Sequence, residues 1–237
     1  IRNIVCRQEG GAAMMADCEG RLTGKPGICF VTRGPGATNA SAGVHIAHQD
    51  SNPLILFVGQ IARGIKEREA FQEVDYKAFY GSMAKWVVEI DDAARIPELV
   101  TRAFAVATSG RPGPVVISLP EDMLCEETDA TVQMPATPAH FAPTPHDLSA
   151  LRNILSSAQK PLVIVGGGSW SDASIAAFQD FAARNHLPVA AGFRRQDAFD
   201  NNHPCYVGAL GTTVDPKLCK AVEEADVILA VGTRLGE

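Results

Sequence analysis

Apolar residues recur along the chain in short solid blocks, at 4–6, 27–31, 54–58, 115–119, 162–165, 189–191 and 227–231. Most show no polar alternation, the pattern of strands covered by helices on both faces. Between them, apolar positions fall at helical spacing over 11–21, 96–108, 171–185 and 217–225. Strand and helix alternating in this way predict βαβ units and parallel sheets. The stretch ATVQMPATPAHFAPT, residues 130–144, carries Pro135, Pro138 and Pro143 and has no usable period. Proline fixes φ and disfavours helix in the residue before it, so this stretch predicts an extended linker. The expected fold is α/β, with two open parallel-sheet domains and helices on both faces: residues 1–129, a linker at 130–145, and residues 146–237.

Composition narrows the function classes. An apolar fraction of 46% and a charged fraction of 20% over 237 residues supply a sizeable core. The net charge of −6 has no basic stripe set against it, which argues against a nucleic-acid surface. Six cysteines lie scattered with no C-x-x-C pair, so neither a zinc site nor a disulfide framework is expected. No stretch approaches membrane-spanning length, and no basic segment leads an apolar one at the N-terminus. A soluble cytoplasmic protein is the expectation. The chain opens almost directly on an apolar block and stops at ILAVGTRLGE, where a strand would hand over to its loop. A longer polypeptide is therefore expected.

In open parallel sheets ligands sit beyond the carboxyl ends of the strands, and three features of the first domain fall there. Glu9 follows the block at 4–6, TRGPGATN (32–39) follows that at 27–31, and GQIAR (59–63) follows that at 54–58. Gly34 and Gly36 permit close backbone approach, Pro35 stiffens the loop, and Thr38 and Asn39 are expected to open a helix whose free N–H groups face a ligand. Chemistry alone favours a plainer reading of Glu9, as a solvated loop residue or a helix-initiating charge. VGGG at 165–168 resembles a phosphate-cradling loop but lacks the G-x-G-x-x-G spacing. His45 and His48, with Asp50 nearby, suit packing or capping better than a metal, and no metal ligands are assigned.

The ordered succession of blocks is more specific. EGGAAMMADCEGRLTGK from Glu9 to Lys25 resembles the thiamine-diphosphate enzyme pattern in which a Glu leads a small-residue helix ending in A-R-x-T-G-K. GICFVTRGPGATNASAGVHIAHQDSNPLILFVGQIAR, AFQEVD and ATSGRPGPVVISLPEDML continue it, each similar to the pyrimidine-binding domain of the acetolactate synthase-like branch. PLVIVGGGS, HPCYVGALG and EEADVILAVGTRLGE resemble that superfamily's Rossmann-like central domain.

The resemblance implies roles. The Glu that Glu9 matches hydrogen-bonds N1′ of the cofactor's aminopyrimidine, favouring the tautomer whose exocyclic nitrogen takes the proton from thiazolium C2. Such a carboxyl must hold or share a proton near neutral pH, and the cofactor then serves as electron sink when a 2-oxo acid loses carbon dioxide. Gly34, Pro35 and Gly36 would let main chain approach the pyrimidine, with Asn39 in the helix behind. Phe71 and Gln72 match the F-Q of a segment by the substrate channel, and Lys85 matches a lysine there; surface loop and hydrophobic anchor are the plainer alternatives. The family implies thiamine diphosphate and Mg2+, a homodimer or homotetramer, and an active site completed by the diphosphate domain of another subunit.

This sequence also departs from the pattern. Gln8 stands where many relatives have His, and GFRRQDAFDNNHP (192–204) differs from the segment that runs along FAD, so a central domain without bound FAD is expected. Arg194 and Arg195 suit either a diphosphate or a subunit contact. The G-D-G…N-N segment that holds magnesium and diphosphate is absent, so these residues alone are expected to bind the cofactor poorly and to catalyse nothing. The expected activity is pyruvate to acetolactate. The alternatives are a decarboxylase of the benzoylformate, indolepyruvate or oxalyl-CoA type, a non-catalytic nucleotide-binding module, and a protein kept for its assembly surface.

Overall fold

A computed structural model describes residues 2–132, 141–168 and 170–236. Residues 133–140 of the expected linker lie outside the described residues. The chain divides into two compact units, Ile1–Ala139 and His140–Glu237.

The first unit runs α1 (Glu9–Thr23), β1 (Gly27–Val31), α2 (Pro35–Asp50), β2 (Leu54–Gln60), α3 (Tyr76–Tyr80), β3 (Trp86–Glu89), α4 (Ile96–Thr108) and β4 (Pro114–Pro120). Its four strands are parallel in the order β1-β2-β4-β3, with Gly27 beside Leu54 and Leu54 beside Pro114. Successive side chains of a strand point to opposite faces. Leu56, Val58 and Val116 accordingly pack with Ala13, Ala40 and Tyr80 on one face. Ile55, Val115 and Ile117 pack with Leu99, Ala103 and Ala107 of α4 on the other. The central strands β2 and β4 are covered on both faces, whereas β1 at the sheet edge leaves Ile28 and Phe30 exposed.

The block at 4–6 forms no strand, contrary to its apolar pattern. A strand needs a ladder partner, and these residues pair with none of the described strands. Instead Ile4, Val5, Ile28 and Phe30 all line a groove of about 530 Å³. Glu9 therefore follows an irregular segment and opens α1 directly.

Helices α1 and α2 meet along small residues. A Cβ built on Gly43 would stand 2.5 Å from the Cβ of Ala13, and one on Gly10 would stand 3.1 Å from the carbonyl oxygen of Asn39. The two helix axes can approach this closely only because those side chains are missing.

The second unit runs α5 (Pro145–Ser157), β5 (Pro161–Val165), α6 (Asp172–Arg184), β6 (Val189–Ala191), β7 (Tyr206–Ala209), α7 (Pro216–Glu224) and β8 (Val227–Val231). Its strands are parallel in the order β7-β6-β5-β8. Val163, Val165, Val189 and Ala191 form its core with Ala182 and Phe199. Among the described residues no helix is long and apolar enough to cross a membrane.

Candidate functional site

Gln8 starts α1 by accepting a hydrogen bond from the Gly11 N–H through its Oε1, at 2.7 Å. This is an N-cap, and it puts Glu9 in the first turn, where a carboxylate suits the positive end of the helix dipole. Glu9 does more than start a helix. Asn39 Nδ2 donates to its Oε2 at 3.1 Å, while Oε1 has no partner among the described residues. Glu9 also lines the groove beside β1, as do Val5 and Met15.

Helix α2 begins at Pro35, earlier than expected, with Gly34 as its N-cap. The first-turn N–H groups left without an intrahelical partner are thus those of Gly36 and Ala37 rather than of Thr38 and Asn39. The Thr38 N–H already donates to the Gly34 carbonyl at 3.0 Å. Asn39 lies one turn into the helix, which is what lets its side chain reach Glu9.

Gly34 and Gly36 answer first to the chain's own packing. Gly34 has φ +55°, and a Cβ on it would stand 2.7 Å from the Cβ of Gln72; a Cβ on Gly36 would stand 2.8 Å from Thr32 Cγ2. Gly34 and Gln72 are therefore in contact. Gln72 itself has φ +67°, and neighbouring Phe71 is 79% exposed. Their loop is held by Gln60, whose Nε2 donates to the Val74 carbonyl at 2.9 Å, and by Glu73, which accepts from the Glu67 and Ala70 N–H groups. Those donors hold the Glu73 carboxyl below its usual range.

Tyr76 fastens this assembly and carries no motif that announces it. Its hydroxyl accepts from the Gly34 N–H and donates to the Gly59 carbonyl, each at 3.0 Å, so one side chain joins the loop after β1 to the end of β2. Burial pushes its phenol up. Tyr80, one turn on and fully buried, donates to the Ala37 carbonyl of α2.

Lys85 is not brought to this group. It precedes β3 and its N–H donates to Pro114, the first residue of β4, so it stands at the amino ends of the strands. Its Nζ donates to the carbonyls of Val106 and Ser109, closing the C-terminus of α4. Desolvation and the nearby Arg111 charge hold this ammonium below the usual lysine range. In the second unit the glycine loop is filled from within: a Cβ on Gly167 would stand 2.0 Å from the Gly232 carbonyl oxygen, and one on Gly166 would stand 2.9 Å from Thr233 Cβ. Arg195 is buried beside Asp197 at 3.2 Å, and the Arg194 guanidinium lies over the Phe193 ring. Among the described residues no group of three or more His, Cys, Asp or Glu side chains could hold a metal ion.

Residues 1–79 match the family described as thiamine pyrophosphate enzyme, N-terminal TPP binding domain, and residues 148–237 match thiamine pyrophosphate enzyme, central domain. The chain belongs to the thiamine pyrophosphate enzyme family. Over 242 residues it is 34% identical to the acetolactate synthase isozyme 2 large subunit of Escherichia coli K12, covering 100% of this chain and 43% of that protein. It is 36% identical over 245 residues to the acetolactate synthase large subunit of Parasynechococcus marenigrum, with 100% and 39% covered. It is 35% identical over 246 residues to the acetolactate synthase of Arthrospira platensis, with 100% and 42% covered. The chain thus spans about two fifths of the length of these curated relatives. Membership implies thiamine diphosphate, and the first unit suits its aminopyrimidine end in one respect: a carboxylate held through one oxygen lines the wall of a groove.

Proposed function

We propose that this chain forms part of a thiamine-diphosphate-dependent enzyme of the acetolactate synthase type, which joins two molecules of pyruvate with loss of carbon dioxide. The observation that carries this reading is the Glu9–Asn39 pair, with Glu9 Oε1 left to accept or share a proton. In this proposal Glu9 exchanges a proton with the pyrimidine ring, and Asn39 fixes which carboxylate oxygen is offered. Gly34, Pro35 and Gly36 form the main-chain wall behind the ring, while Phe71 and Gln72 stand on the substrate side. When bound, the cofactor supplies a nucleophilic carbon and an electron sink for decarboxylation.

Residues 1–129 are read as the pyrimidine-binding domain, 130–145 as a linker and 146–237 as the central domain. Mg2+ belongs to the same proposal, with its ligands outside the described residues. A central unit without FAD is favoured because Gly232 and Thr233 fill the space over its glycine loop. A homo-oligomer is favoured by Met14 and Met15, 44% and 49% exposed on α1.

The test is acetolactate formation from pyruvate by the intact protein with thiamine diphosphate and Mg2+, wild type against Glu9→Gln. Turnover lost in the variant, with cofactor still bound, supports the reading. Free aldehyde in place of acetolactate makes the protein a decarboxylase, and no binding of thiamine diphosphate removes the reading altogether.

A further inference from the structure

Arg33 sits between the last residue of β1 and Gly34, beside the turn just described. Its side chain is 25% exposed, and Nη1 donates to Glu121 Oε2, on the residue that follows β4. The guanidinium therefore lies along the carboxyl edge of the sheet from β1 toward β4. Gly59, at the end of β2, makes room for the chain here: a Cβ on it would stand 3.2 Å from the Arg33 amide nitrogen.

A guanidinium has five N–H donors, and the edge carrying Nε and Nη2 matches the two oxygens of a carboxylate. Three other arginines of this unit spend that edge on acceptors. Arg95 gives Nε and Nη2 to the two oxygens of Glu98, at 3.1 and 2.9 Å. Arg63 divides the same pair of donors between Asp122 and Glu126. Arg111 gives Nε to Ser51 at 2.8 Å and Nη2 to the His48 carbonyl. Arg33 Nε is buried and has no acceptor among the described residues, and Nη2 bonds to none of them. A shielded N–H without an acceptor is costly, and a charged one more so.

We propose that this vacant edge receives the carboxylate of the 2-oxo acid, an assignment that rests on the function proposed above. Glu121 holds the other end of the guanidinium through Nη1. An entering carboxylate meets Nη2 first and takes Nε as the side chain turns. Arg33 is then a substrate-binding residue that selects acids over the corresponding esters or amides, because a neutral group leaves the edge unsatisfied.

The test uses the intact protein with thiamine diphosphate and Mg2+, and oxamate, the unreactive amide isostere of pyruvate, with its methyl ester as control. Calorimetric titration is expected to show oxamate bound about tenfold or more weakly by Arg33→Gln, with the ester and thiamine diphosphate unaffected. Arg33→Lys keeps the charge without the fork and is expected to lose severalfold for oxamate alone; it decides the matter if Arg33→Gln does not fold. Equal affinity of wild type and variants for oxamate overturns the assignment, as does a wild type that binds acid and ester alike. A wild type that makes no acetolactate but loses oxamate affinity with Arg33 refutes the proposed reaction and supports the carboxylate site.

Discussion

Asn39 Nδ2 donates to Glu9 Oε2 at 3.1 Å although the two residues stand 30 positions apart in the chain. Removing that donor frees the carboxylate to turn while leaving its chemistry in place. Asn39→Ala is expected to lower kcat for acetolactate about tenfold, the scale of one hydrogen bond to a charged group. Glu9→Gln is expected to lose about 100-fold or more, as for removal of an acid–base group. Equal rates for wild type and Asn39→Ala, measured on the intact protein, would strip Asn39 of any positioning role.

Tyr76→Phe leaves the Gly34 N–H and the Gly59 carbonyl without their common partner. A loss of about 1–3 kcal/mol in unfolding free energy is expected, because a buried donor is left unsatisfied. Urea denaturation followed by far-UV circular dichroism reads this directly. An unchanged midpoint would mean that water replaces the hydroxyl at no cost.

Alkaline pH should weaken the first unit. Burial pushes the Cys29 thiol up to about 11 from an ordinary value of 9.0. The folded state therefore keeps its proton at pH values where the unfolded chain releases it. The stabilising contribution is complete below pH 9 and is lost as pH rises toward 11. Tyr76 and Tyr80, also pushed up by burial, act in the same direction. Cys29→Ala is expected to flatten the decline by up to about 2 kcal/mol, measured as denaturation midpoints at pH 8, 9, 10 and 11. A parallel decline in wild type and variant would assign the loss to the tyrosines alone.

Lys85 separates two roles cleanly. As a cap on α4, Lys85→Met should cost roughly 0.5–1.5 kcal/mol of stability and leave KM for pyruvate unchanged. A raised KM with unchanged stability would return the lysine to the substrate side.

The parts of the fold that could be read from sequence are those whose signal is local. Strands β1, β6 and β8 begin and end where their apolar blocks do, although β1 and β8 stand at sheet edges and expose alternate residues. β3 escapes such reading: Trp86–Glu89 is short, half-buried throughout and ends on a charge. β7 contains Gly208 at φ +122° beside a register shift, which disguises the run. The block at 4–6 fails in the opposite sense, since apolar character does not supply a ladder partner. Within the site, Glu9, Gly34 and Asn39 stand in recognisable motifs. Tyr76 and Arg33 act across 42 and 88 positions of chain, distances that no window of residues reports.

The seam between α1 and α2 sets a limit on variation. Ala13 and Gly43 have no slack between them, so a methyl group added at Gly43 must lever one helix away from the other. That movement would be carried along α1 to its first turn and along α2 to Asn39. Positions that never meet a substrate would thus be held to the smallest side chains by the alignment of two atoms about one turn away, and a bulkier residue there would show up as lost rate before it showed up as an unfolded protein.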